Sequence, residues 1–228
     1  MSSSNAVTHA FDAHAEAYDH TLEPILAIKG VLHRLIQWQL SGLPEAARVL
    51  VVGAGTGAEA RFLAPLFPQW RFTLVDPSAG MLNVGRRHAE AEGFLGQCEF
   101  HTGLVSSLAA DGFDAAISVL VSHFLTDAAD RQAYFAEIGR RLKPGGRLFT
   151  ADLCADLGAP SFGSLMDLWV AQAGMPDERK ASFRTVFGKG VAVHGPAEVE
   201  AMIARAGFSA PVQCGQAALV RAWVATRL

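Results

Sequence analysis

The sequence has few cysteines, no excess of one charge and no long apolar run, and each absence excludes a class of protein. Its three cysteines, Cys98, Cys154 and Cys214, form no Cys-x-x-Cys pair, which argues against a zinc site or a disulfide framework. The net charge is −3, so a basic surface for nucleic acid is not expected. No apolar run approaches the roughly 20 residues of a membrane span, and residues 1–10 lack a secretion core. We therefore expect a cytoplasmic protein without a metal, a nucleic-acid partner or membrane association.

The stretch from Arg48 to Ala64 is the one around which the chain is organised. Four apolar residues, 49–52, predict a strand that is buried on both faces of a parallel sheet. Glycines follow at positions 53, 55 and 57, before a helical pattern begins. Glycine permits a sharp strand-to-helix turn and removes the Cβ atoms that would block a ligand, while N–H groups at the helix start stay free.

Short apolar runs alternate with helical patterns along the next hundred residues. Strands are predicted over 49–52, 71–75, 98–101, 114–120 and 147–153, and the helices between them over about 58–66, 78–92 and 127–141. This alternation implies right-handed βαβ units and a Rossmann-like, doubly wound α/β sheet with helices on both faces. After a loose start, residues 11–40 are predicted to be helical with a break at Pro24, and a helix over 196–206 precedes two closing strands around Gly215.

The whole chain, 1–228, is predicted to form a single α/β domain of ordinary size. Its four parts are a helical leader or lid (1–44), a cofactor-binding core (45–155), a helical cap for substrate (156–195) and a closing helix with strands (196–228). The cap is inferred because the regular alternation of strand and helix stops after residue 155.

In an open α/β sheet the ligand lies beyond the carboxyl ends of the strands. That rule brings together the glycine turn, Asp76, residues 103–105 and residues 119–122. Asp76 ends the second strand 19 residues after Gly57, and its carboxylate can accept hydrogen bonds from both hydroxyls of a ribose. Spacing alone leaves the cofactor open, because residues 53–58 also fit a loose dinucleotide fingerprint.

Several motifs, in order along the chain, resemble the class I S-adenosylmethionine (SAM)-dependent methyltransferases of the small-molecule branch (methyltransferase types 11, 12 and 25). The glycine motif of that family is similar to Val-Leu-Val-Val-Gly-Ala-Gly-Thr-Gly at 49–57, and its ribose loop to Asp-Pro-Ser-Ala-Gly-Met-Leu at 76–82. The fourth strand and the turn into the fifth resemble residues 113–120 and 140–148, and the leader resembles Phe11-Asp12, Ala15 and Tyr18-Asp19. The resemblance covers nearly the whole chain and implies seven strands, of which the last is antiparallel.

The resemblance implies SAM as the cofactor and a small molecule as the methyl acceptor. It places Gly53, Ala54 and Gly55 at the methionine part, Tyr18 over it and Asp76 at the ribose. The full set of expected cofactor residues is Tyr18, Gly53, Ala54, Gly55, Gly57, Asp76, Pro77, Met81, Gly103, Leu104, Val105 and Val119. Many relatives carry an acid at the position of Leu104, so adenine is expected to be recognised here by backbone or by another side chain.

Candidate residues for the acceptor and for catalysis are fewer. Methyl transfer from a sulfonium depends mainly on alignment, and it needs a base only when the acceptor arrives protonated. His123, just past the fourth strand, is the candidate base, with a packed histidine as the alternative. Arg184, Trp169 and Tyr18 are candidates for contact with the acceptor. A surface arginine and a core tryptophan are the simpler interpretations of the first two.

Three other functions compete with methyl transfer. Part of the chain, from residue 124 through Arg184, also resembles carboxy-SAM synthases, but those use asparagine where Val119 ends the fourth strand. A nicotinamide-dependent oxidoreductase fits the glycine turn, yet the sequence has no Tyr-x-x-x-Lys pair to act on a carbonyl. A SAM-binding module without turnover is the third. The sequence leaves open whether the protein is a monomer or a homodimer.

Overall fold

One mixed sheet forms the centre of the protein in the computed structural model, which describes residues 3–21, 26–172 and 191–228. Its strands are β1 (Arg48–Val52), β2 (Arg71–Asp76), β3 (Cys98–Thr102), β4 (Phe113–Val119), β5 (Leu142–Leu153), β6 (Val212–Ala217) and β7 (Val220–Thr226). They lie in the order β3-β2-β1-β4-β5-β7-β6. Strands β1 to β5 pair in parallel, and β7 is antiparallel to both of its neighbours. The predicted seven-stranded, Rossmann-like α/β fold is thus confirmed.

Helices connect the strands and precede them. Within the described residues they are α1 (Ser3–His14), α2 (Tyr18–Thr21), α3 (Leu26–Leu40), α4 (Ala58–Leu63), α5 (Ala79–Ala91), α6 (Ala128–Arg141), α7 (Phe162–Gln172) and α8 (Pro196–Arg205). No helix in this part of the chain combines the length and the apolar character needed to cross a bilayer.

Strand β1 shows why the central strands are apolar along their whole length. Val49 and Val51 belong to the buried cluster that also contains residues of α3, α4 and α5. Leu50 and Val52 belong to a second buried cluster, which contains residues of α6 and α8. Because successive side chains of a strand point to opposite faces, burial of both faces requires an apolar residue at every position.

The structure differs from the predicted leader at its start. Residues 1–10 were expected to be loose, but α1 begins at Ser3. Phe11, Ala15 and Tyr18 pack in one cluster with Met81 and Val84 of α5. This tertiary packing supplies the apolar contacts that a short polar helix lacks on its own.

The closing strands also differ in detail from the prediction. Gly215 lies inside β6, and the β6–β7 turn is at residues 218–219. A Cβ atom at Gly215 would lie 2.5 Å from Leu35 Cδ1, so this glycine allows α3 to pack closely against β6 instead of forming the turn. Strand β5 begins at Leu142, because the predicted turn 143–146 pairs with Arg227 at the end of the chain.

Candidate active site

A cavity of about 500 Å³ opens at the carboxyl ends of β1, β2 and β4. This is the edge of the sheet at which the ligand crevice was predicted. The described residues that line it are Val7, Thr8, Phe11, Tyr18, Val52, Gly53, Gly55, Val75, Asp76, Pro77, Ser78, Met81, Gly103, Leu104, Val105, Ser106, Val119, Leu120, Val121, Phe124, Leu125, Asp130, Ala133, Tyr134 and Glu137. The glycine turn, three strand ends, α6 and the leader therefore meet at one concave site, as in a ligand pocket.

The glycine turn after β1 forms one wall of the cavity. Gly53 adopts a φ of +67°, in the left-handed region. A Cβ atom there would lie 2.3 Å from Val121 Cγ2. Both the backbone conformation of Gly53 and its close contact with Val121, just after β4, therefore require glycine.

Asp76 lies opposite the glycine turn, at the end of β2. Its Oδ2 atom accepts a hydrogen bond from the N–H of Gly55 at 2.9 Å, and its Oδ1 atom accepts one from the N–H of Ser78 at 2.8 Å. Burial raises the pKa of the Asp76 carboxyl above its ordinary value, although these two N–H groups act against the shift. A carboxylate offers about four lone-pair sites, so acceptor capacity remains for a ligand.

The leader is joined to the loops of the cavity by polar contacts. Asp12 Oδ1 accepts hydrogen bonds from Ser78 Oγ at 2.5 Å and from the N–H of Gly80 at 2.9 Å. Thr56 Oγ1, in the glycine turn, donates to Asp19 Oδ1 at 2.8 Å. The helices α1 and α2 are thereby attached to both loops that carry the predicted cofactor residues.

Three aromatic rings connect the leader to the turn after β4. Phe11 makes edge-to-face contacts with Tyr18, at 5.8 Å between centroids, and with Phe124, at 5.5 Å. All three line the cavity. Burial raises the pKa of Tyr18 to about 12, so its hydroxyl stays protonated at neutral pH. The rings form an apolar cover with one polar group.

Most of the predicted cofactor residues share this cavity. Its lining includes Tyr18, Gly53, Gly55, Asp76, Pro77, Met81, Gly103, Leu104, Val105 and Val119. Ala54 and Gly57 are not part of this lining. Ala54 is buried and donates its N–H to Val75 O at 3.0 Å, and Gly57 is the N-cap of α4. The cofactor roles of all these residues stay predictions.

The structure places His123 in a buried polar network instead of in the cavity lining. His123 is 5% exposed, and its Nδ1 atom is hydrogen-bonded to Asp152 Oδ1. The same carboxylate accepts from Ser122 Oγ and from the N–H of His123, the latter at 3.1 Å, and lies 3.5 Å from Arg131 Nη2. Burial acts to raise the pKa of Asp152, but His123, Arg131 and Ser122 outweigh it and hold that pKa below its ordinary value. His123 is not among the residues that line the cavity, and its role as a base stays a prediction.

The predicted acceptor residues are not brought together in the described structure. Trp169, on α7, is 6% exposed and belongs to the buried cluster that also contains Val49 and Val51. It is not part of the cavity lining. Arg184 lies outside the described residues. Tyr18 is the member of the predicted acceptor set that reaches the cavity.

Several lining residues were missed by sequence reasoning. Val7 and Thr8 fall in the segment that was expected to be loose, and Tyr134 lies within the helix predicted over 127–141, which was not expected to reach the site. Phe124 follows the fourth strand, so the rule that ligands bind at strand ends was the signal that could have included it. The side chains on α6 carry no such signal, because the crossing of α6 over the cavity depends on tertiary packing.

Residues 49–146 match the family described as methyltransferase domain. The chain is 31% identical over 133 residues to the ubiquinone/menaquinone biosynthesis C-methyltransferase UbiE of Teredinibacter turnerae, which covers 55% of this chain and 51% of that protein. It is 28% identical over 156 residues to the ubiquinone biosynthesis O-methyltransferase of Methylocella silvestris, covering 63% of this chain and 57% of that protein. The chain thus spans only about half, 51% and 57%, of the length of these relatives.

Among solved structures, the fold is similar to that of the mitomycin 7-O-methyltransferase MmcR. The TM-score is 0.66 at 22% sequence identity, covering 89% of this chain and 54% of that one. At this identity the likeness concerns the fold. The match over residues 49–146, the similarity to the curated relatives and the seven-stranded sheet all agree with the resemblance to the class I SAM-dependent methyltransferases.

Proposed function

We propose that the protein binds SAM in the cavity at the strand ends and transfers its methyl group to a small-molecule acceptor. The observation that carries this proposal is the position of Asp76. Its carboxylate lines the cavity opposite the open glycine turn and is held by the N–H groups of Gly55 and Ser78. A carboxylate in this position suits a ribose, whose two hydroxyls both donate hydrogen bonds.

The remaining lining residues fit the other parts of the cofactor. Met81, Leu104 and Val105 offer apolar surface for adenine beyond the ribose position. The glycine turn at residues 53–55 and the Tyr18 hydroxyl offer polar groups for the methionine part. Leu104 is 55% exposed, and its aliphatic side chain can provide a surface but no hydrogen bond for the adenine amino group.

The cofactor supplies, when bound, a methyl group on a sulfonium centre that an acceptor's lone pair can attack. The protein's task is then to align the acceptor with that methyl and to exclude water. Val119 lines the cavity at the end of β4, and the contacting rings of Phe11 and Phe124 add apolar lining that excludes water. Neither alignment nor exclusion of water requires a base in the lining.

The acceptor that suits this site is of modest size and has an apolar body. The lining includes the apolar residues Val7 and Phe11 of the leader and Phe124 and Leu125 of the turn after β4. The two curated relatives are named for ubiquinone and menaquinone biosynthesis, which agrees with an apolar acceptor. Arg184 and Trp169 remain proposed acceptor contacts, and a cytoplasmic location remains a prediction.

Calorimetric titration with S-adenosylhomocysteine, the demethylated product of the cofactor, tests the binding half of the proposal. The wild-type protein should bind it, and Asp76→Ala should weaken binding by about 1–3 kcal/mol, the range for a buried group that loses its partner. Asp114→Ala is the matched control, because Asp114 lies at the opposite end of the sheet and pairs with Lys143. Equal affinity of all three proteins, or binding of a nicotinamide dinucleotide instead, would contradict the proposal.

Formation of S-adenosylhomocysteine from SAM tests the transfer half. The acceptor panel should contain a simple phenol, a hydroquinone, an aromatic thiol and an aromatic amine. We expect product with at least one of these apolar acceptors and little with SAM alone. Binding without turnover on any acceptor would favour a SAM-binding module. A carboxylated cofactor product, formed only when a carboxyl donor is added to the mixture, would favour the carboxy-SAM synthase alternative.

A further inference from the structure

The turn after β4 forms a wall of the cavity in a conformation that its own residues do not favour. Leu120, Val121 and Phe124 all line the cavity. Leu120 has a φ of +58°, in the left-handed region, where a bulky side chain is strained. Such a conformation persists only where the surroundings hold it, and it is concentrated at functional sites.

Hydrogen bonds to the neighbouring strand β5 hold this turn. Leu120 donates its N–H to Ala151 O at 2.7 Å. One residue further along β5, Asp152 accepts from Ser122 Oγ, from the N–H of His123 at 3.1 Å and from His123 Nδ1. The strained residue is therefore held by its own N–H and by the residues that follow it, and most of these bonds end on one carboxylate.

The groups that bind this carboxylate are almost fully buried. Ser122 and Arg131 are 0% exposed, Asp152 is 1% exposed and His123 is 5% exposed. Arg131 Nε also donates to Ser122 Oγ at 2.9 Å. None of these four residues is part of the cavity lining, so their effect on a ligand passes through the turn. A buried network of this kind is specific in geometry, since each group depends on the others for its partners.

The network also reaches the segment that follows residue 190. Ala192 donates its N–H to His123 O at 2.7 Å, and Arg131 Nη1 donates to Ala192 O at 3.3 Å. Ala155, just after β5, donates its N–H to His194 O at 3.0 Å. The turn under the cavity and the end of the predicted cap are thus held by the same residues.

We propose that His123 and Asp152 are positioning residues, and that the hydrogen bond from His123 Nδ1–H to Asp152 holds the turn Leu120–Phe124 in the shape that the cofactor requires. The role differs from that of a general base, which would act through the other ring nitrogen, Nε2, on an acceptor in the cavity. The inference rests on the proposed function only in its choice of S-adenosylhomocysteine as the probe.

Asparagine separates the two roles of the ring, because its Nδ2–H can replace the Nδ1–H donor while Nε2 is lost. We expect His123→Ala to weaken S-adenosylhomocysteine binding by about tenfold, the effect of one buried hydrogen bond to a charged group. His123→Asn should restore the affinity to within about twofold of the wild type. In the ligand-free proteins, amide hydrogen exchange over residues 119–125 should be faster in the alanine variant and near wild type in the asparagine variant.

Trp223→Phe is the control for a general loss of stability. Trp223 is fully buried in the second core cluster, and its Nε1–H donates to Glu200 Oε1 at 2.9 Å, away from the cavity. This variant should be destabilised while it keeps its affinity and its slow exchange over residues 119–125. If His123→Ala fails to fold, Ser122→Ala removes another donor to Asp152 and should weaken binding by about threefold.

Two results would overturn the inference. Wild-type affinity and wild-type exchange in His123→Ala would show that the turn does not depend on this bond. Equal loss in His123→Asn and His123→Ala would show that the imidazole itself is required. If the wild-type protein does not bind S-adenosylhomocysteine at all, the proposed function fails, but the exchange comparison in the ligand-free proteins still decides the role of His123.

Discussion

At the scale of single residues, the site depends on positions where one side chain, or none, fits. Gly53 is such a position, because its positive φ and its contact with Val121 act together. Gly93 shares only the first property: its φ is +79°, and a Cβ atom there would meet nothing within 4 Å. A comparison of Gly53 with Gly93 therefore separates the effect of a positive φ from the effect of a steric contact.

We predict that Gly93→Ala lowers the free energy of unfolding by about 1–2 kcal/mol, the cost of a left-handed residue with a side chain. Gly53→Ala should cost roughly 1–3 kcal/mol more, because the added methyl displaces Val121. Only Gly53→Ala should also abolish S-adenosylhomocysteine binding. Urea unfolding and calorimetry measure the two effects. Equal stability of the two variants would show that the contact with Val121 relaxes freely.

A second prediction concerns the pH dependence of binding through Asp76. Burial raises the pKa of its carboxyl above the ordinary 3.8, and only the ionised form offers its full acceptor capacity to ribose hydroxyls. Affinity for S-adenosylhomocysteine should therefore fall as the pH is lowered from about 7, starting at a higher pH than an ordinary aspartate would give. Asp76→Asn should bind weakly and lack this acid limb. A wild-type affinity that stays constant down to about pH 4 would exclude the role.

The motif residues of the site could be predicted from the sequence, but its network residues could not. Gly53, Gly55 and Asp76 follow buried strands directly, so their place at the strand ends follows from the alternating pattern. His123 could also be placed near a strand end, yet its burial depends on Asp152, a residue 29 positions later. Pairings between distant residues of this kind carry no local signal.

At the scale of elements, the leader is the part whose attachment matters most for access to the cavity. Asp12 accepts hydrogen bonds from Ser78 and Gly80 at the start of α5. Four residues later, Glu16 forms an ion pair with Arg87. The Glu16 side chain is 80% exposed and the Arg87 side chain is 53% exposed. The first contact lies beside the Asp76 loop, and the second lies in solvent.

We predict that Asp12→Ala loosens the leader and Glu16→Ala does not. Amide exchange over residues 7–21 should become faster only in the first variant, and its affinity for S-adenosylhomocysteine should fall by about threefold. The exposed pair should contribute little, since such pairs are screened by solvent. Identical exchange in the two variants would show that Asp12 does not hold the leader in place.

The order and type of the core elements could be predicted, and their ends could not. Alternation of strand and helix identified β1 to β5 because each strand is buried on both faces. The two closing strands do pair as a hairpin, but the predicted position of the turn at Gly215 was wrong, since that glycine lies inside β6 and accommodates Leu35 of α3. The start of β5 was also missed, because Gly145 and Gly146 pair with Arg227 at the far end of the sequence.

At the scale of the whole molecule, one polar cluster that joins the strands lies at the end of the sheet opposite to the cavity. Asp114, at the amino end, accepts from the N–H of Arg48 at 2.8 Å and from Lys143 Nζ at 2.6 Å, and so joins β1, β4 and β5. Burial acts to raise the pKa of Asp114, but Arg48 and Lys143 outweigh it and lower that pKa below 3.8. The cavity at the carboxyl end contains none of these groups.

We predict that Asp114→Asn lowers the free energy of unfolding by about 1–2 kcal/mol at neutral pH without changing affinity for S-adenosylhomocysteine. A lowered pKa in the folded state stabilises the protein above the ordinary value of 3.8 and ceases to do so as the pH falls below it. The difference between wild type and variant should therefore shrink as the pH approaches about 3. Urea unfolding across this pH range is the measurement. If the difference in unfolding free energy between wild type and variant grew as the pH fell, the pKa of Asp114 would be raised in the folded protein and not lowered.

A crystal structure with S-adenosylhomocysteine would show whether the cavity between the glycine turn and Asp76 holds the cofactor. We expect density for the ligand in the cavity, with both ribose hydroxyls hydrogen-bonded to the Asp76 carboxylate and Phe11 closed over the site. Density for the ligand at another place, or a ribose directed away from Asp76, would contradict it.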